Sequence, residues 1–221
     1  MAHLIINADD FGMSNVFNDC IIELLSNGKI TSTTVMVNRI SDCQKARIQR
    51  LKNIMETMDV SVGLHVEFTY DQHLEQIQDQ YQKFIGLFET TPSHLDVHKE
   101  HLHTKYHDIV ANFCKSQNLP FRNHGKKFPE VATTSRKYFY GSIEDFGPID
   151  EWLKGLEDGQ FFELVFHPGR YDPHCYSSLN AQREWDLGHI DSINENLKKY
   201  SIELINFNCL NTSKTTKVKQ D

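Results

Sequence analysis

Short β-branched or apolar runs alternate with amphipathic helical segments along almost the whole chain. That alternation constrains the fold more than any other feature. "HLIIN" reads as a buried strand ending near Asn7, with "ADDFGMS" as a loop after it. Ser14 then caps a helix that places Phe17, Ile21, Leu24 and Leu25 on one face and stops at Gly28. "TSTTVMV", "VSVGLHVEF", "HLDVH", "FFELVFH" and "IELINF" read as further strands, and "PFRN" as a short extended segment. Helical patterns fall over residues 41–58, 74–88, 105–117, 149–157 and 180–199, and the helix at 74–88 turns Leu74, Ile77, Tyr81, Phe84, Ile85 and Phe88 inward. Repeated βα units joined by short links predict a parallel sheet. With about seven strands and no dividing linker, the fold class is α/β: an incomplete (β/α) barrel, TIM-barrel-like, over residues 1–210. Residues 211–221 read as a polar, flexible tail.

Composition excludes several function classes. The net charge is −7, and no basic stripe with interleaved aromatics occurs, so nucleic acid is not an expected partner. No Gly-x-Gly-x-x-Gly follows the first strand, and no Walker lysine loop is present. The five cysteines are scattered and form no Cys-x-x-Cys pair, which argues against a disulfide framework or a structural zinc. The N-terminus lacks a charged region followed by an apolar run, and no stretch of 18 apolar residues exists. The expected location is the cytoplasm, with no membrane partner.

In parallel α/β folds chemistry gathers at the C-terminal ends of strands. Here the first strand ends in Asp9-Asp10, the third carries His65, the fourth carries His94, Asp96 and His98, and the strand after residue 160 runs into His167-Pro168-Gly169. Taken singly, each has a plainer reading: a cap, a core histidine, a turn. Together they deliver acids and histidines to one face from four strands. The stretch "HLDVHKEHLH" (94–103) alone holds four of the chain's 12 histidines. Imidazoles and a carboxylate suit a divalent metal site with open positions, where a second carboxylate and a further histidine can move protons. That residue chemistry fits zinc or another transition metal.

The segments "LIINADDFGMS", "GKITSTTVMVN", "VGLHVEFT", "HLDVHKEHLH" and "FHPG" occur in the order found in the YdjC-like carbohydrate deacetylases, and the chain resembles that family from about residue 4 to 170. The resemblance implies relatedness in fold and metal site to the wider polysaccharide deacetylases. It also implies removal of acetyl groups from N-acetylated sugars such as chito-oligosaccharides, one divalent metal ion (magnesium in the family), and a possible homodimer. Carried over by position, Asp10, His65 and His98 would be the metal ligands, Asp9 the general base and His167 the general acid. Arg122 of "PFRN" is a candidate for orienting Asp9, the plainer reading being a surface arginine. Relatives run Asp-x-His-x-His-x-His after the fourth strand. Here "HKEHLH" has one extra residue, which leaves His98 in place but moves His101 and His103 to substrate or supporting positions. The loop after Thr69 is shorter than in relatives. Phe11, Tyr140 and Tyr171 are candidate sugar-stacking surfaces. The alternatives are a metal-dependent phosphoesterase or other amidohydrolase on a similar barrel, or a degenerate, non-catalytic sugar-binding protein.

Overall fold

The computed structural model describes residues 1–69, 73–102, 106–125, 128, 130–139 (backbone alone for 136–139) and 147–210. Among these, seven strands form one sheet: β1 (His3–Phe11), β2 (Ser32–Val35), β3 (Ser61–Val66), β4 (Leu95–Val97), β5 (Arg136–Phe139), β6 (Phe161–Phe166) and β7 (Glu203–Leu204). The order is β4-β3-β2-β1-β6-β5, every pairing is parallel, and the two-residue β7 lies beside the start of β1. Six helices connect them: α1 (Asn15–Ser26), α2 (Lys45–Thr57), α3 (His73–Phe88), α4 (His107–Gln117), α5 (Gly147–Lys154) and α6 (Arg183–Lys199). The central strands are buried on both faces, which is why they read as near-continuous apolar runs rather than alternating ones.

The sheet is strongly curled. In a flat sheet of this order β4 and β6 would stand four strand spacings apart, about 19 Å. Yet the Arg122 guanidinium touches Asp96 of β4 at 2.7 Å and Glu163 of β6 at 2.7 Å. The stretch holding Arg122 lies on the far side of β4, through a parallel bridge between Leu95 and Phe121. Phe121 N–H in turn donates to the carbonyl of Ala132, on the way into β5. These bonds draw the two sheet edges together, the arrangement expected of an incomplete barrel.

Local expectations largely match. Ser14 caps α1 by accepting from Val16 N–H at 3.1 Å, and Phe17, Ile21, Leu24 and Leu25 are buried. Five departures have physical causes. The first strand does not stop at Asn7. It runs to Phe11, because Asp9 and Asp10 find buried cationic partners and need no solvent loop. The short extended "PFRN" contributes a single bridge, whereas β5 was not expected and falls in a stretch with no clear alternation. "IELINF" forms only two strand residues before turning under β2 and β3, where Phe207 N–H bonds Ser61. Leu74 at the start of α3 is 46% exposed, since the helix meets the core only from Ile77 onward. At the other end of the chain, α6 begins at Arg183, three residues later than its pattern suggested. No described helix is long and apolar enough to cross a membrane. The tail at 211–221 lies outside the described residues.

Candidate active site

Adjacent residues of a strand face opposite sides of a sheet, yet Asp9 and Asp10 both reach the same cleft. The backbone explains this. Asp10 adopts a left-handed φ of +69°, and the β1–β2 register shifts between Ala8 and Phe11. The irregularity turns the second acid back toward the first one's side, and Asp tolerates this backbone better than most residues.

His65 occupies the centre. Its Nδ1–H donates to Asp96 Oδ1 at 2.6 Å, which leaves Nε2 facing His98 Nδ1 at 3.1 Å and Asp10 Oδ1 at 3.2 Å. His98 Nδ1 is 3.3 Å from the same Asp10 oxygen. Three potential ligand atoms thus form a triangle with edges of 3.1–3.3 Å. Donors around one ion at about 2.0–2.1 Å are spaced in this way, and Asp10 Oδ1 has no hydrogen-bond partner among the described residues. Asp10, His65 and His98 therefore fit a divalent cation. The carboxylate behind His65 is the usual support for a ligating imidazole. Asp9, His65 and Asp96 also converge, but Arg122 already supplies the cation between those two carboxylates.

Arg122 is a buried hub rather than a surface arginine. Its Nη1 and Nη2 donate to the two oxygens of Asp9 at 2.8 and 2.6 Å, Nη1 also meets Asp96, and Nε donates to Glu163 at 2.7 Å. Burial would push the Asp9 carboxyl up, but Arg122, His65 and His167 outweigh it and hold the group well below the usual range. Asp10 is likewise lowered against its burial, by His65, His98 and Arg183. His65 resists burial the other way: Asp96, Asp9 and Asp10 hold it well above its ordinary value. A cation at the triangle would replace that proton. His167 Nε2 stands 3.9 Å from Asp9 Oδ2, the residue's backbone N–H donates to Asp186 at 2.8 Å, and burial pushes the imidazole below its ordinary value.

These residues line a cleft of about 840 Å³, rimmed by residues 99–102 on one side and 174–179 on the other. His101 is exposed on the first rim, in a short turn at Glu100–Leu102, while His103 lies outside the described residues. His94 is fully buried below the site, stacked on Phe207 at 3.5 Å between ring centroids and bonded to Ser93 at 2.8 Å. Of the expected stacking residues, Phe11 is buried core and Tyr140 is not described. Tyr171 is exposed but does not line the cleft, whereas Tyr176 does. Asp96 was read on the shared face between His94 and His98, though without a role. Two participants escaped the sequence reading. Glu163 had a signal, an acid inside the apolar run "FFELVF". Arg183, in a polar helix, had none.

The YdjC-like protein family matches residues 3–78. A carbohydrate deacetylase from Clostridium beijerinckii is 27% identical, the alignment covering 92% of this chain and 98% of that protein. A chitooligosaccharide deacetylase from Citrobacter koseri is 30% identical over 80% of this chain and 87% of its own length. Among solved structures, one from Enterococcus faecalis V583, described as a cellobiose-phosphate cleavage protein, superposes with a TM-score of 0.73 at 20% identity and covers 95% of this chain and 98% of that one. A polysaccharide deacetylase from Bacillus cereus shares the fold at a TM-score of 0.58 and 8% identity, covering 93% of this chain and 92% of that one.

Proposed function

The chain belongs to the YdjC-like carbohydrate deacetylase family, and from that premise we propose that it hydrolyses the acetamide of N-acetylated sugars, chito-oligosaccharides being the substrate class its relatives' names suggest. The observation that carries the reading is the triangle of Asp10, His65 and His98 placed beside a second acid, Asp9, and a facing histidine, His167, in one cleft.

Asp10, His65 and His98 would hold a divalent ion, which when bound would supply Lewis acidity and make a nearby water more acidic. The other residues handle protons. Asp9, ionised because Arg122 stabilises its charge, takes a proton as water attacks the acetyl carbonyl. The Arg122 fork fixes both Asp9 oxygens, so the base is oriented rather than free to swing. His167 is neutral at rest because of its burial. It becomes an acid once the proton released by water reaches it, and then protonates the sugar nitrogen as the C–N bond breaks. Acetate and the free amine leave.

The test is acetate release from N,N'-diacetylchitobiose by the purified protein, with and without added divalent metal. Metal-dependent acetate release supports the reading. Tight sugar binding without release would turn it into a binding protein, and hydrolysis of phosphate esters but not of acetamides would turn it into a phosphoesterase.

A further inference from the structure

Arg183, at the first turn of α6, is fully buried, and its Nη2 contacts the Oδ2 of Asp10. The same nitrogen lies 3.3 Å from Ser177 Oγ and 3.6 Å from Met13 Sδ, and the guanidinium lies over the Phe17 ring at 4.1 Å. Its Nε and Nη1 have no hydrogen-bond partner among the described residues. Burying a cation this poorly satisfied is costly. Its ion pair is with Asp10, the one carboxylate of the metal triangle.

We propose that Arg183 is a positioning residue that decides which metal the triangle accepts, excluding hard cations and leaving a site for a nitrogen-preferring ion such as zinc. The proposal rests on the reading that Asp10, His65 and His98 hold the cation. With Oδ2 engaged by Arg183, Asp10 offers the triangle only Oδ1. Its negative charge is shared with a neighbouring positive one, and Asp9, the other acid at the site, is already neutralised by Arg122. Magnesium and calcium gain their affinity from several anionic or carbonyl oxygens. Here one shared carboxylate faces them. Zinc and its neighbours gain theirs largely from imidazole, and two imidazoles are present.

Metal binding to the metal-free full-length protein, followed by calorimetry and by metal content after dialysis, tests this without reference to turnover. The wild type should hold one zinc that about 100-fold excess magnesium does not displace. Arg183→Met should narrow the zinc-over-magnesium preference by about tenfold, and Arg183→Lys, which keeps the charge, should restore most of it. Thermal melts identify variants that fail to fold, and the wild-type competition decides the matter if Arg183→Met is one of them. Magnesium displacing zinc from the wild type, or an unchanged preference in folded Arg183→Met, would overturn the proposal. Absence of stoichiometric binding of any divalent metal would instead overturn the ligand assignment beneath it.

Discussion

Asp9 and Asp10 are neighbours in sequence, equally buried, and each faces a buried arginine, yet the two arginines hold them differently. Arg122 engages both oxygens of Asp9 and two further carboxylates besides. Arg183 touches one oxygen of Asp10 and leaves the other pointing at two imidazoles. A carboxylate whose oxygens are both occupied by a guanidinium is fixed, ionised and poorly placed to join a metal. One with a single oxygen exposed to two histidines is placed to do so. The division of labour proposed for two identical side chains would thus follow from their cations.

Breaking each acid tests that contrast most severely. Asp10→Asn should lose stoichiometric metal, and with it activity. Asp9→Asn should keep metal while kcat falls about 10²–10⁴-fold, the usual worth of a positioned base. Metal analysis paired with acetate release separates the two. Equal metal loss in both variants would erase the distinction.

Next in size comes the hub. Arg122→Met leaves Asp9, Asp96 and Glu163 buried without their shared cation and should cost about 3–5 kcal/mol of stability, read from urea unfolding. Arg122→Lys should recover part of that stability but little of the turnover, because an ammonium cannot fork across two carboxylate oxygens. Retained activity in Arg122→Lys would show that charge alone, not orientation, is what Asp9 needs.

The two sides of the site also differ in how readable they were. The strand-borne groups, Asp9, Asp10, His65 and His98, stood out because polar residues closing apolar strands are conspicuous against a period of two, and the order of motifs supplied their expected roles. The fold class was legible for the same reason, from strands and helices taken in turn. Strand membership was less so. β5 was missed, since a short segment at a sheet edge carries little pattern. Arg183 was invisible because a helix with mostly polar faces gives no hint of which polar residue turns inward; only the fold places it against β1. The turn reading of His167-Pro168-Gly169 likewise hid a packing reason for its glycine. A Cβ at Gly169 would lie 2.8 Å from Phe17 Cδ1 and 3.2 Å from Arg183 Cδ.

That close approach offers a finer test of the Asp10 side. Gly169→Ala should cost about 1–3 kcal/mol by overpacking and also shift metal preference in the direction of the Arg183 variants, because the added Cβ would displace Phe17, over whose ring the Arg183 guanidinium lies, and press on Arg183 Cδ as well. Gly63→Ala is the matched control. Its Cβ would lie 2.5 Å from the His94 ring, so it should destabilise comparably and leave metal preference unchanged. If both variants changed preference alike, the effect would belong to general loosening and not to Arg183.

The smallest effect is expected at His101, where the contrast between holding a metal and lining a cleft can be drawn within one histidine-rich stretch. His98 follows directly after β4, its backbone N–H bonded to Val66 at 2.9 Å, so its ring is delivered to His65 by the strand alternation that also delivers Asp96. Lys99 then takes a left-handed φ of +48°, which ends that alternation. His101, in the turn beyond, is exposed on the cleft rim and is carried by no strand. An exposed side chain so placed is positioned for substrate contact rather than for metal geometry, the role proposed for it. His101→Ala should therefore leave metal content at the wild-type level and raise KM roughly two- to fivefold with kcat nearly unchanged, under about 1 kcal/mol in all. Loss of metal from this variant would mean that the extra residue in "HKEHLH" does not displace His101 from coordination, and that the ligand from this stretch was misassigned.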